Sequence, residues 1–299
     1  MKKHLTLILT LAIALGSTLS FAADGTRLQY KYKKGDILNY LITSNVAGTL
    51  EVIPDKKKPE ISQKYPVDMK MELMMKITVT DIDRDKNATI ENTFDSVKLL
   101  QSGVEAVNFK KGDNIPAEHP AAKILDANLT SVIAPNGEMV HFKGLFEIID
   151  FISTFDLESI MRQASAKLSD YPVKPGDRWS GKLLTIAGVD SLDLPINYKY
   201  ISDEDFNGIK CAKIETQLTA DISKKVADKL IFSGKIANVE NYDVTLYGTL
   251  YFDSMSGRVV SYKAKTTAKS NMDVGDTVSV KFNTYKSETS IDSTFELKI

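Results

Sequence analysis

The sequence has few of the residues that form disulfides and metal centres. Cys211 is the only cysteine among 299 residues, so no disulfide can form within the chain. Ala212 and Ile214 follow it in a strand-like pattern, which predicts a small buried side chain rather than a reactive thiol. Beyond the first residues the only histidines are His119 and His141, and neither has a partner at zinc-binding spacing. We therefore predict no metal site.

Signatures of catalysis and of phosphate binding are also missing. The chain contains neither the Gly-x-Ser-x-Gly elbow of many hydrolases nor a glycine-rich phosphate loop. Its formal net charge is -1, whereas nucleic-acid-binding domains have a basic excess on one face. We predict that the protein is not an enzyme, has no cofactor and binds no nucleic acid. Acid pairs such as Asp203 and Asp205 leave a hydrolase as a distant alternative, because such pairs are common in turns.

The loop 81–87 carries oxygen-bearing side chains at alternate positions, as the start of a calcium-binding loop does. Lys86, however, occupies the position at which an EF-hand needs glycine, and Asn92 the position at which it needs glutamate. The flanking sequences are typical of strands rather than helices. We therefore predict a polar hairpin turn here, with calcium binding as the alternative.

The N-terminus has the pattern of a secretory signal peptide. Lysines at positions 2 and 3 precede an apolar run over 5–15, and residues 20–22 fit a cleavage site of the small-x-small type. This predicts a signal peptide over 1–22, with a cut after Ala23 as second choice. The apolar run is shorter than the roughly 20 residues that span a bilayer, so a membrane anchor is the weaker alternative. We predict an exported bacterial protein, periplasmic or extracellular, with no membrane span.

Apolar residues alternate with polar ones over 67–79, with Met74 the one exception. Successive side chains of a strand point to opposite faces, so this period of two predicts a long strand with one apolar face. The residues on that face are Val67, Met69, Met71, Leu73, Met75, Ile77 and Val79. Such a strand implies a large antiparallel sheet that buries one side.

A second alternating stretch begins at Val260. Its even positions are small or apolar, whereas its odd positions include Lys263, Lys265 and Lys269. One face of this strand is therefore expected to be cationic and solvated. The small residues on the other face leave room for a covering helix, which we favour, or for a ligand.

The order of turns and strands recurs along the chain. A predicted strand start at 30–32 precedes the first Gly-Asp turn, at 34–36, and a second such turn lies at 174–177. Each turn is followed by two strands, an acidic loop, a further strand and a glycine-containing hairpin. The first strand after the turn is predicted over 37–50 in one half and 178–187 in the other, and the hairpins over 130–142 and 248–262. We interpret this as a duplication of about 120 residues, with chance similarity between hairpins as the alternative. The predicted fold is mainly β, with long antiparallel, curved sheets built from two related halves, 23–144 and 171–299. A central helical connector, 145–170, is predicted to pack on the sheet.

Helical spacing is clearest within this connector, where Leu145, Ile148 and Ile152 share one face. A short helix is also predicted over 120–127, because proline suits a first helical turn. The segment 53–66 is predicted to be a polar loop, since it contains two prolines and three consecutive lysines between strands.

Four segments resemble an uncharacterised family of exported bacterial β-rich proteins. They are 30–36, the methionine-rich strand, 79–83 and 171–179. The family has no established activity, so the resemblance implies no catalytic residues. The architecture is also remotely similar to that of periplasmic lipoprotein carriers, in which an incomplete barrel holds acyl chains against covering helices. This likeness would imply a lipid or hydrophobic ligand as partner.

Two hypotheses of function follow from these patterns. In the first, an exported cell-envelope protein binds a lipid or another hydrophobic ligand between the sheet and the helices. In the second, the chain is a structural or protein-interaction module whose apolar face is only core. The predicted ligand-binding residues are Met69, Met71, Leu73, Met75, Ile148, Ile152 and Met161.

Overall fold

A computed structural model describes most of the chain: residues 25–54, 58–143, 166–187, 190–232, 235–276 and 282–298. The predicted signal peptide and most of the predicted helical connector lie outside the described residues. Ile148, Ile152 and Met161 of the predicted site lie outside them as well.

The described residues form one 12-stranded antiparallel sheet with little helix. The strands are β1 (Ile37–Ile53), β2 (Gln63–Ile82), β3 (Ala88–Gln101), β4 (Val104–Lys110), β5 (Leu129–Ile133), β6 (Met139–Lys143), β7 (Arg178–Ala187), β8 (Asp190–Phe206), β9 (Ile209–Asp221), β10 (Lys235–Asp253), β11 (Arg258–Asp276) and β12 (Phe282–Lys298). Two helices, α1 (Pro120–Asp126) and α2 (Ser223–Phe232), and a 3-10 turn (Pro59–Ile61) complete the described elements. The prediction of a mainly β fold is confirmed.

Neighbouring strands follow the order β6-β5-β3-β2-β1-β12-β11-β10-β9-β8-β7, and β4 pairs with β3 beside this path. The strands of the first half and those of the second half are therefore laid out in the same direction, and the halves meet where β1 pairs with β12. This order supports the predicted duplication, which stays a prediction.

The two Gly-Asp turns have matching hydrogen bonds. Gly35 and Gly176 have φ values of +89° and +99°, a left-handed conformation that glycine adopts without strain. In each turn the glycine N–H donates to a backbone carbonyl in the second strand that follows the turn. The aspartate carboxylate accepts the backbone N–H of the lysine three residues before it. The matched pairs are Gly35 with Val79 (2.8 Å), Gly176 with Tyr200 (2.7 Å), Lys33 with Asp36 (2.8 Å) and Lys174 with Asp177 (2.7 Å).

Strand β2 shows how the alternating pattern forms the core. Met71, Leu73 and Met75 are buried, whereas the residues between them are half-exposed. We call the side that carries these buried residues the inner face and the opposite side the outer face. The strand is longer than the predicted 67–79, because Gln63 to Pro66 pair with β1. The predicted loop 53–66 is correspondingly shorter.

Two segments outside the strands pack against the inner face. Leu28 and Leu168 are both fully buried at 0% exposure. The Tyr30 hydroxyl donates to the Ala166 carbonyl at 3.2 Å, and the Tyr30 N–H donates to Pro135 at 2.8 Å. The expected strand start at Tyr30 is therefore wrong: this segment crosses the core and makes its only described bridge through Thr26.

The helices differ in part from the prediction. α1 begins at Pro120 as expected, and the His119 ring nitrogen accepts the Ala121 N–H at 3.1 Å. The described end of the predicted connector, 166–170, is irregular rather than helical. α2 was not predicted, because this short helix follows directly from a strand. At its start the Asp221 side chain accepts the N–H of Ser223 at 2.9 Å, and the Ser223 hydroxyl accepts the N–H of Tyr242 at 2.7 Å, which joins the helix to β10.

Candidate ligand-binding groove

The described residues of the predicted site lie mainly in the core. Met71, Leu73 and Met75 are 1%, 0% and 1% exposed. A cavity beside Met75 and Ile90 holds about 10 Å³, which is the space of a single water at most. Among the described residues, the cavity at this end of the strand is too small for an acyl chain.

Further along β2, Met69 is partly exposed. Strand pairing aligns it with Val46 and Ile291, and the next row contains Val67, Ala268 and Val244. The second row also contains Gly48 and Thr289. We call this half-buried surface the distal inner face.

A larger cavity lies on the opposite, outer face. It has a volume of about 720 Å³ and crosses strands β7 to β12. Two rows of outer-face side chains line it in cross-strand register. The first row is Arg178, Lys199, Glu215, Thr249, Lys263 and Thr294; the second is Asn197, Gln217, Tyr247, Lys265 and Asp292. We call this cavity the outer groove.

Side chains of the inner face pack tightly against the backbone that forms the floor of the outer groove. The Thr216 and Tyr262 hydroxyls form a buried hydrogen bond of 2.9 Å on the inner face. A Cβ on Gly248 would lie 2.5 Å from the first hydroxyl and 2.6 Å from the second, so glycine is needed for this close approach. Burial raises the pKa of Tyr262 well above its ordinary value, so the tyrosine stays protonated. The groove therefore has a fixed floor.

The charges in the outer groove are unbalanced. Its lining contains four cationic side chains but two carboxylates, Glu215 and Asp292. Among the described residues, none of the four cations has a carboxylate within 4.0 Å. Elsewhere on the same outer face, Lys213 pairs with Glu204 at 3.1 Å. The groove cations are thus available to bind an anion.

Tyr247 gives the groove an exposed aromatic surface. Its side chain is 56% exposed, and its direct cross-strand neighbours are Gln217 and Lys265. A tyrosine ring offers an apolar face together with a hydroxyl that donates and accepts hydrogen bonds. The site can therefore combine stacking, hydrogen bonding and charge.

Two sequence features outside the groove are structural. Asp83 accepts N–H bonds from Asp85 and Asn87, both at 2.8 Å, and the hydrogen bonds from Asn87 lower its pKa. This loop is a turn, as predicted. Cys211 is fully buried, also as predicted, and burial raises its pKa to about 11.

Within the described ranges, no group of three or more His, Cys, Asp and Glu side chains is placed to hold a metal ion. No described helix is long and apolar enough to cross a membrane.

Comparisons with known proteins give similarities of fold at low sequence identity. No protein-family model matches the chain, and no curated protein sequence matches it. A Bacteroides fragilis protein with a YmcC-like fold is 10% identical, with 91% of this chain and 99% of that chain covered and a TM-score of 0.31. The likeness is remote.

Two further solved structures are similar at the same level. Pseudomonas aeruginosa OpdL is 9% identical over 88% of this chain and 99% of its own, with a TM-score of 0.27. DynF from the dynemicin biosynthesis pathway of Micromonospora chersina is 9% identical, with 91% and 85% covered and a TM-score of 0.19. TM-scores this low support no inference of function, so the resemblances drawn from the sequence stay predictions.

Proposed function

We propose that this chain is an exported binding protein whose polar ligand lies in the outer groove. The observation that carries the proposal is the groove itself, because its volume of about 720 Å³ is in the range of small-molecule sites. The signal-peptide pattern of residues 1–22 supports export.

Binding without catalysis fits the groove chemistry better than hydrolysis does. Its lining contains no histidine or cysteine. Glu215 and Asp292 lie on β9 and β12, three strand spacings apart, or about 14 Å. The two carboxylates of a glycoside hydrolase are closer, at about 5–10 Å.

Filling the groove tests the proposal. We expect Thr249→Trp to occupy the centre of the first row and to abolish ligand binding. Native mass spectrometry of the protein purified from its own host should show an added non-protein mass on the wild type but none on this variant. Thr49→Trp is the matched control, because Thr49 is exposed on β1, away from the groove. A wild-type chain without added mass, or a Thr249→Trp chain that keeps it, would contradict the proposal.

A second candidate is the binding of a lipid or other apolar ligand on the distal inner face. The observation that favours it is the half-buried surface around Met69, Val67 and Val244, which retains apolar area for a ligand to cover. Here Met69 is the residue of the predicted site that keeps exposed surface in the described part of the chain.

The same measurement separates the two candidates. We expect a lipid mass to survive in Thr249→Trp but to be lost in Ala268→Trp. In the second variant a large ring replaces the small side chain between Thr289 and Val244 and fills the surface that the lipid would cover. A polar mass that behaves in the opposite way favours the groove. A chain that carries neither mass favours the structural or protein-interaction module.

A further inference from the structure

The cations of the outer groove are divided between its two ends. Arg178 on β7 lies directly opposite Lys199 on β8, and Lys263 and Lys265 lie two residues apart on β11. Asp292 on β12 is the direct neighbour of Lys265, so Lys263 is the cation at that end with no carboxylate opposite it. Three strand spacings separate β8 from β11, which places the two cationic ends about 14 Å apart. A ligand that contacts both ends must be extended.

The middle of the groove has the opposite character. β9 and β10 contribute Glu215, Gln217, Tyr247 and Thr249, so the centre is polar, aromatic and acidic. A like charge placed beside Glu215 would be repelled. A nucleic acid strand has a phosphate at every nucleotide and would bring such a charge there. The arrangement favours a ligand whose anionic groups are separated by a neutral body.

The neutral body has a recognisable chemistry. The Asn197 and Gln217 side-chain amides both donate and accept hydrogen bonds, as sugar hydroxyls require of their partners. The exposed Tyr247 ring in the same row offers a flat apolar surface for one face of a sugar ring. Arg178 can grip a carboxylate with two parallel hydrogen bonds.

We propose that the outer groove binds an acidic oligosaccharide in which charged and neutral sugars alternate. Its carboxylates lie at the Arg178–Lys199 and Lys263–Lys265 ends, and a neutral sugar stacks on Tyr247. This inference rests on the proposed function and names its ligand class.

Isothermal titration with a hyaluronate hexasaccharide, in which acidic and neutral sugars alternate, tests the inference. We expect Lys199→Gln and Lys263→Gln each to weaken binding about tenfold, because each removes a charge-assisted hydrogen bond. Lys286→Gln is the control, since Lys286 is exposed on β12 outside the groove and should leave affinity unchanged. Added salt should weaken binding by screening these exposed charges.

Comparison probes identify which part fails. Neutral maltohexaose and hexathymidylate should each bind at least about tenfold more weakly than the hexasaccharide. Equal binding of maltohexaose, or unchanged affinity in Lys263→Gln, would overturn the assignment of an acidic ligand. If Thr249→Trp still abolished binding in that case, the groove would remain the binding site. Tighter binding of hexathymidylate, or no binding of the hexasaccharide, would overturn the proposal that the ligand is an oligosaccharide. If Thr249→Trp left hexasaccharide binding intact, the outer groove would not be the binding site.

Discussion

Replacing Leu73 by alanine is expected to lower the free energy of unfolding by about 2–5 kcal/mol. Leu73 is 0% exposed and lies between two buried methionines on the inner face of β2. Truncation removes buried apolar atoms and leaves a cavity that the paired strands on both sides cannot close. Urea denaturation followed by circular dichroism measures the change.

Met69→Ala is the matched comparison, because it truncates a half-buried side chain on the same face of the same strand. We expect it to cost less than about 2 kcal/mol. A loss as large as that of Leu73→Ala would mean that the distal inner face is core rather than available surface. A loss below about 1 kcal/mol for Leu73→Ala would mean that this end of β2 is loosely packed.

Part of the fold can be predicted from the sequence alone. Burial of one strand face is recorded locally, in the alternation of neighbouring residues. β7 accordingly has the predicted bounds, Arg178–Ala187, and the hairpin around Gly137 forms where its turn residues indicate. The proline at position 120 likewise marked the start of α1.

The outer groove could not be predicted in the same way. Alternation identified Lys263 and Lys265 as a solvated face, but not which strands lie beside them. Lys265 meets Asp292 and Tyr247 only through the register of β11 with β12 and β10. Register between distant segments depends on the packing of the whole sheet, which no local pattern reports.

The strand start predicted at Tyr30 is wrong for a related reason. Its alternating aromatic and lysine residues are typical of a strand, yet it packs across the core instead of joining the sheet. Contacts far away in sequence decide this placement: the N–H of Lys31 donates to Gly257 at 3.0 Å, and Tyr30 bonds to Pro135. Tertiary contacts therefore override the local preference.

The centre of the sheet gives the second large effect: Gly48→Ala is expected to destabilise the protein by about 3 kcal/mol. Gly48 lies on β1 where the first half of the sheet meets β12, opposite Thr289. A Cβ there would lie 2.8 Å from the Thr289 Cα and against the Glu288 carbonyl oxygen. β1 cannot move away, because Gly48 also faces Val67 of β2 on its other side.

Gly112→Ala separates this steric effect from ordinary backbone strain. Gly112 has a φ of +93° with nothing within 4 Å of an added Cβ, so alanine there pays only the left-handed conformation, about 1–2 kcal/mol. Urea denaturation of both variants should rank Gly48→Ala as clearly more damaging. Equal losses would show that β1 and β12 can separate at little cost, and that the two halves of the sheet are stabilised independently rather than through their shared central pairing.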